Sequence, residues 1–526
     1  MASTSALFSH DAQRVFDDID RHFQLSKETL VELTQAFIDE YRLGLGNYGK
    51  PMAMIPTFVT GVPDGTETGT FLALDLGGTN LRVCEVVLNG DKTFSLRQQK
   101  YKVSEELKTG EATALFDYLA DSVDAFLTEN TPSEPIPPMR VPTMPMPGSQ
   151  DVVHLGLTFS FPVEQTALGA GKILTWTKGF AAKNAIGHDV VQLLQDAFDR
   201  KHLHVKCVAL VNDTVGALLS RAYTAGGCIL GAIFGTGTNG AFVEQVANIT
   251  KLGNSDAAAK GGLMVVNTEW GAFNNSRSHL PSTPFDNALD RRSINPRFQA
   301  FEKFVSGMYL GEIARNIIMA LIDAAPKPLL LSGKFTPLLN TQWGLDTSVM
   351  SDIENAWEGE KRTEPSPEDH MPPFTEFDES KLSENVKARL QRVRKTMVQR
   401  LGYEDEDVTL RDAAIVKWAC GLVARRAALL SGVAVAATLI QTGRASLPAG
   451  HDNITSSEGA EDEEKIGVGV DGSLIEHYPH FERMMRESLK ILVGEHIEKR
   501  VDIGMAKDGS GVGAALCALM ASKEMQ

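Results

Sequence analysis

Three times along this chain a short apolar run rich in β-branched residues stops at a glycine turn: residues 71–80 (FLALDLGGTN), 228–240 (CILGAIFGTGTNG) and 466–473 (IGVGVDGS). Runs of this length bounded by glycine read as buried strands, and the stretches between them carry longer helical patterns. That alternation confines the chain to an α/β architecture. The first two runs share a strand delivered into glycine, threonine and asparagine, a likeness that hints at internal duplication. With 526 residues there is chain enough for several domain-sized units and more than one core.

Composition narrows the partners. Hydrophobic residues make up 43% and charged residues 22%, with 46 Gly and 23 Pro, which excludes collagen, long coiled coil and wholesale disorder. Fifty-one Lys and Arg against 67 Asp and Glu leave a net charge of −16. Such a surface repels nucleic-acid backbones and anionic membranes, so neither is an expected partner, and an anionic substrate needs a local positive pocket. The five cysteines (Cys84, Cys207, Cys228, Cys420, Cys517) are odd in number and scattered, which suggests neither a disulfide framework nor a zinc site and fits a reducing compartment. The N-terminal MASTSALFSHDAQRVF has no basic region leading into an apolar core. The longest apolar run, 427–440, falls short of the ~20 residues that span a bilayer, and Arg425 and Arg426 adjoin it. A cytoplasmic protein without a membrane anchor is expected.

Ser26 reads as the N-cap of a helix whose Leu30, Leu33, Phe37 and Tyr41 share one side and which stops at Gly44, a packing element rather than a chemical one. Three segments rich in Pro, Ser and acidic residues, 131–148, 359–380 and 447–465, read as surface loops that supply neither core nor catalysis.

The glycine turns admit a phosphate reading. Gly77-Gly78-Thr79-Asn80 lets backbone N–H groups and a hydroxyl approach phosphate oxygens, because glycine lacks a Cβ and tolerates positive φ. Asp75 just before it can hold a hydrated Mg2+, and Arg82 can reach the accompanying phosphates; taken alone, the four residues still favour an ordinary β-turn. Residues 235–240 match G-x-G-x-x-G, but a dinucleotide fingerprint opens a helix, and here AFVEQVANI continues as strand. A hairpin clasping phosphate therefore fits better. The run Gly509 to Gly513 precedes a helical AALCALMASKEM whose N-terminus attracts an anion or nucleotide. A tight turn that lets the last helix pack closely reads equally well.

Asp213 is the acid/base candidate: in CVALVNDTVGALL an apolar strand ends at Asn212-Asp213 and a helix begins at Thr214, so the carboxylate can take a proton from a substrate hydroxyl. Asn and Asp at such a junction are also ordinary N-caps, and locally the cap is the favoured reading. Ser160-Phe161-Pro162 and Trp176-Thr177-Lys178-Gly179-Phe180 offer hydroxyls and one cation suited to a polyol, although a lone Lys is usually a surface residue. Glu269 ends an apolar run beside Trp270, an unusual place for a carboxylate that accepts no hydrogen bonds. Gln299 and Glu302 lie on a helical pattern whose default is a solvated face.

Eight blocks in order from Met54 to Leu516, among them FLALDLGGTNLRV, LGLTFSFPVEQ, ALVNDTVGALLS, AIFGTGTNGAFVEQ, VVNTEWGAF and AKDGSGVGAAL, together resemble the eukaryotic hexokinases and within them the fungal glucokinase-type members. The resemblance implies a duplicated actin-like ATPase (ribonuclease H-like) α/β fold, with two domains closing over a central cleft. The smaller domain would comprise 66–211 with roughly 504–526, the larger 17–65 with 212–503. It assigns Asp75, Gly77, Gly78, Thr79, Asn80 and Arg82 to the first phosphate segment and Thr236 and Gly237 to the second. Gly472, Ser510, Gly511, Val512, Gly513 and Ala514 fall on the adenosine side, and Thr347 and Ser351 on further nucleotide contacts. Ser160, Phe161, Thr177, Lys178, Asn212, Asp213, Asn239, Glu269, Gln299 and Glu302 fall on sugar-contacting positions.

The implied reaction is ATP-dependent phosphorylation of glucose at its 6-hydroxyl, the first step of glycolysis. Asp213 would act as base, and Lys178 and Arg82 would offset charge. ATP would be accompanied by Mg2+, held through water by Asp75 and Asp213. Alternatives are a broad hexokinase that also takes fructose and mannose, a glucose-sensing regulatory protein, and another actin-like ATPase; the last has no reason to carry the sugar-side carboxylates. A monomer or weak homodimer acting on small molecules is expected.

Overall fold

The computed structural model describes residues 2–77, 80–129, 152–176, 179–359, 371–448 and 464–524. The strands in chain order are β1 (Ile55–Pro56), β2 (Thr68–Leu76), β3 (Asn80–Asn89), β4 (Phe94–Lys102), β5 (Val153–Phe159), β6 (Val163–Ala167), β7 (Ala170–Ile173), β8 (Val205–Val211), β9 (Cys228–Phe234), β10 (Thr238–Gln245), β11 (Leu263–Asn267), β12 (Ile466–Asp471) and β13 (Val501–Met505). Apart from the small β6–β7 ribbon they form two sheets on one plan. In the first, β2, β3 and β4 make an antiparallel meander, and β5 and then β8 join β2 in parallel. In the second, β9, β10 and β11 repeat the meander, and β12 and β13 join β9 in parallel, with β1 added beyond β11. The duplication hinted at by two glycine turns is thus carried by the whole strand order.

Each half lends its closing helix to the other. Helix Asp213–Ala225 follows β8 of the first sheet but packs on β9 and β12 of the second. Helix Gly509–Glu524 follows β13 of the second and packs on β2, β5 and β8 of the first. The two helices cross where Gly216 meets Gly513: a Cβ on Gly513 would lie 2.2 Å from the Gly216 Cα. The strands beneath are cut back in the same way, since a Cβ on Gly156 of β5 would sit 2.1 Å from the Ala514 carbonyl and one on Gly231 of β9 would sit 2.2 Å from the Thr214 carbonyl. The glycine run at 509–513 is therefore no turn preceding a helix. It is the helix's own first turns, and its missing side chains are what permit the crossing.

Apolar side chains fill three clusters. Leu72, Leu74, Leu155 and Leu157 pack on the crossover helices Ala112–Glu129 and Val190–Arg200. Ala73, Val211, Val215, Leu218, Val512 and Ala515 fill the space between the sheets. The largest cluster surrounds helix Leu410–Gln441, which is apolar on every side and correspondingly buried. By length and composition that helix could cross a membrane, but it lies at the centre of the fold. Its Arg426, fully buried, donates to both oxygens of Asp286 at 2.8 and 2.7 Å and lies between the rings of Phe23 and Phe304.

Two local expectations need correction. Ser26 does cap its helix, its hydroxyl accepting from the Thr29 amide at 3.2 Å, but the helix runs on to Gly46. Gly44 is not a stop; it makes room, since a Cβ there would lie 2.4 Å from the Met52 carbonyl. In the 359–380 segment Phe374 packs on Phe16 and Trp418, with ring centroids 5.0 and 5.5 Å away, so that expected loop does contribute to the core. Residues 131–148, 360–370 and 449–463 of the expected loops lie outside the described residues.

Candidate active site between the two sheets

The ends of β2, β8, β9 and β12 and the start of helix Gly509–Glu524 converge. Asp75 near the end of β2 stands in register with Arg82 on β3, so their side chains share one face of the sheet. Arg82 Nε donates to Asp75 Oδ2 at 2.9 Å, a second guanidinium nitrogen bonds the same oxygen, and it also reaches Ser510 Oγ at 3.4 Å. Asp75 is buried. Gly77 closes the turn through its amide to the Asn80 carbonyl at 3.2 Å, and Asn80 is exposed. Gly78 and Thr79 lie outside the described residues.

At the end of β8 the capping and chemical roles divide between neighbours. Asn212 is the cap: its Oδ1 accepts from the Thr214 amide at 3.0 Å and the Thr214 hydroxyl at 2.7 Å. Asp213 is the first helical residue, half-buried, with Oδ1 accepting from the Thr214 amide at 2.9 Å. A carboxylate here sits at the positive end of the helix dipole. Asp471, the last residue of β12, faces the same space. Burial raises its pKa, its hydrogen bond from the Gly472 amide opposes that, the Asp213 charge raises it further and Arg82 lowers it. Like Asp213, Asp471 is an acid that follows a buried apolar run beside the glycine assigned to the nucleotide, Gly472, a signal present in the sequence itself.

The β9–β10 turn is the hairpin anticipated at 235–240. Its carbonyls at Gly235 and Thr236 accept from the Gly307 and Met308 amides at 2.7 and 3.1 Å, while the Thr236 side chain is exposed. Gly472, at φ +117°, lies against it: a Cβ there would meet the Phe234 carbonyl at 2.6 Å. Thr347 is buried, its hydroxyl accepting from the Gly311 amide at 2.8 Å and donating to the Gly307 carbonyl at 2.5 Å. It ties helix Thr347–Glu358 to helix Gly307–Ile322, whose first amides anchor this turn, rather than presenting a hydroxyl outward. Ser351 is half-buried one turn further along. Val512 and Ala514 are fully buried and Gly511 lies under Cys84, so of the assigned C-terminal residues Ser510 alone is seen to reach the Arg82 side of the site.

Opposite lies a polar cluster. Asn239 Nδ2 donates to Asn267 Oδ1 at 2.9 Å and to Glu269 Oε1 at 3.3 Å, and Asn267 Nδ2 donates to the same Glu269 oxygen at 2.9 Å. Glu302 Oε2 accepts from the Thr238 amide at 3.1 Å. Glu269 and Gln299 both have left-handed backbones, φ 55° and 52°, a conformation that costs a non-glycine residue ~1 kcal/mol or more and concentrates at functional sites. Gln299 is thus the cap of helix Ala300–Val305 and not one of its turns, as the periodicity had it; Gly271 leaves room for its amide. Asn267, buried at the end of β11, was not read from sequence. Ser160 is half-buried after β5, whereas the Phe161 ring is buried against Phe159, Trp176 and Phe180, so its side chain belongs to the core. Thr177 and Lys178 lie outside the described residues.

A cleft floored by acids and glycine turns and walled by amides and carboxylates suits transfer between an anionic group and a polyhydroxyl compound. Family models described as hexokinase match residues 15–223 and, in two segments, 229–371 and 370–520. The chain is 39% identical to a glucokinase of Aspergillus niger and 37% identical to glucokinase-1 of Saccharomyces cerevisiae, in each case over 96% of both chains. Among solved structures, the hexokinase of Schistosoma mansoni complexed with glucose superposes with a TM-score of 0.76 at 33% identity, covering 98% of this chain and 99% of that one. Family matches along nearly the whole chain, full-length identity and the superposition agree: the chain belongs to the hexokinase family, with its fungal glucokinase-type members.

Proposed function

We propose that this chain is a glucokinase that moves the terminal phosphoryl group of ATP to the 6-hydroxyl of glucose, giving ADP and glucose 6-phosphate as the first step of glycolysis in the cytoplasm. The observation that carries the reading is Asp213: a carboxylate at the first turn of the helix after β8, beside Asp471, which Arg82 also approaches, on one side of a cleft whose other side holds the Asn239–Asn267–Glu269 network. Phosphoryl transfer is mostly positioning and charge stabilisation, because the transferring group is loosely bonded in the transition state. Asp213 accepts the 6-hydroxyl proton as attack proceeds. Arg82, the backbone amides of the two glycine turns and Lys178 offset charge on the phosphates. Asn212, Asn239, Glu269, Gln299 and Glu302 hydrogen-bond the ring hydroxyls, with Ser160, Thr177 and the backbone of Phe161, whose ring is in the core, as further sugar contacts, so a sugar that leaves these polar groups unpaired is rejected.

The acids present fit Mg2+. Asp75, Asp213 and Asp471 are hard oxygen donors, the ligand type Mg2+ takes one or two at a time beside waters and phosphate oxygens. Asp75 and Asp213 would hold it through water, and when bound it neutralises charge on the phosphate oxygens.

A coupled ADP-release assay with glucose, mannose, fructose and no sugar, run beside Asp213→Ala, tests the reading. Expected are strong turnover on glucose, weak turnover on fructose, very little without sugar, and a loss of about 100-fold or more in the variant. Equal rates on glucose and fructose would make the chain a broad hexokinase; glucose binding without turnover would make it a sensor.

A further inference from the structure

Lys251 stands on a short 3-10 turn, Thr250–Leu252, and touches none of the residues assigned to substrate. Its ammonium donates to three backbone carbonyls: Gly44 at 2.8 Å, Ala53 at 2.7 Å and Met54 at 2.7 Å. Three protons meet three acceptors. The titratable side chain facing it is Tyr48, whose ring centroid lies 5.1 Å away; the end of helix Lys27–Gly46 and the segment entering β1 otherwise present carbonyls. Burial pushes the amine down to about 8 with no charged neighbour contributing, so this is a cation held by dipoles rather than by a carboxylate.

What the ammonium pins leads to the sugar side. Met54, in the left-handed region at φ 46°, gives its carbonyl to Lys251 and its amide to the Thr268 carbonyl at 3.2 Å. The next residue, Ile55, pairs with Asn267. Thr268 is fixed in turn by its amide and hydroxyl to the Gly240 carbonyl at 2.9 and 2.8 Å, and Asn267 holds both Asn239 and Glu269. One chain of hydrogen bonds therefore runs from Lys251 through β1 to the two residues immediately before Glu269.

We propose that Lys251 is a positioning residue for glucose binding, which fixes the Asn267–Glu269 corner through Met54 and β1; the inference rests on the glucose-kinase reading above. The test begins with wild-type turnover on glucose, whose absence would sink that reading and not this one. In Lys251→Met the glucose KM and the calorimetric glucose Kd are expected to rise about tenfold while the ATP KM changes by less than about twofold, a split that general destabilisation does not produce. In the wild type, glucose Kd is expected to weaken between pH 7 and pH 9, because a neutral amine has two protons for three carbonyls; Lys251→Arg, which stays charged, is expected to lose that dependence. An unchanged glucose KM in folded Lys251→Met, a parallel rise in both KM values, or the same pH dependence in Lys251→Arg would each overturn the proposal. The wild-type and Lys251→Arg titrations decide it even if Lys251→Met does not fold.

Discussion

Gly237 shows how a single missing atom can serve a site rather than a turn. A Cβ there would lie 2.8 Å from Glu302 Oε2, the oxygen that accepts from the Thr238 amide. Because the obstructed atom is the far end of a flexible side chain, Gly237→Ala should fold and melt close to wild type. The carboxylate must nevertheless swing off its amide, and the glucose KM is expected to rise about tenfold, read by steady-state kinetics beside a thermal melt. A fall in melting temperature with unchanged KM would place the glycine's role in folding. At this scale the sequence disclosed the residues that break a local rule, such as Glu269 beside Trp270 or Asp213 after an apolar strand. It was silent on Asn267, whose amide is an unremarkable strand end until the fold brings Asn239 and Glu269 beside it.

Glycine runs were the strongest signal among elements and also the one most open to misreading. The β2–β3 and β9–β10 turns were legible because apolar strands flank them on both sides. The 509–513 run carries the same residues for another purpose, the close crossing of two helices, and nothing local distinguishes the purposes. Gly513→Ala is expected to cost about 1–3 kcal/mol through overpacking against the Gly216 backbone, measured as a lowered urea midpoint, since neither helix can give way without lifting off its sheet. Wild-type stability in that variant would mean the crossing is looser than its geometry. Helix Leu410–Gln441 was glimpsed as an apolar run of under half its length, because its polar ends and Arg426 interrupt the hydropathy that the fold nonetheless buries.

For the whole molecule the α/β class was legible, whereas the duplication was legible only as a hint, since two short matches survive in sequence while strand order survives completely. All five cysteines are buried, and burial pushes every thiol up to about 12. Thiolate is the reactive form, so a disulfide reagent at pH 8 is expected to label native protein very slowly and denatured protein at all five positions. Glucose should slow the residual reaction further if it closes the molecule around Cys84, which packs against Gly511. Rapid native labelling of any one thiol would contradict the burial described. The exchange of closing helices has a consequence for synthesis. The first sheet, complete by Val211, lacks the cover for one face until Gly509–Glu524 has been translated, nearly 300 residues later. A nascent chain must therefore carry a half-dressed sheet through most of its emergence from the ribosome, and loss of the last helix would strand the first half of the protein, not the second.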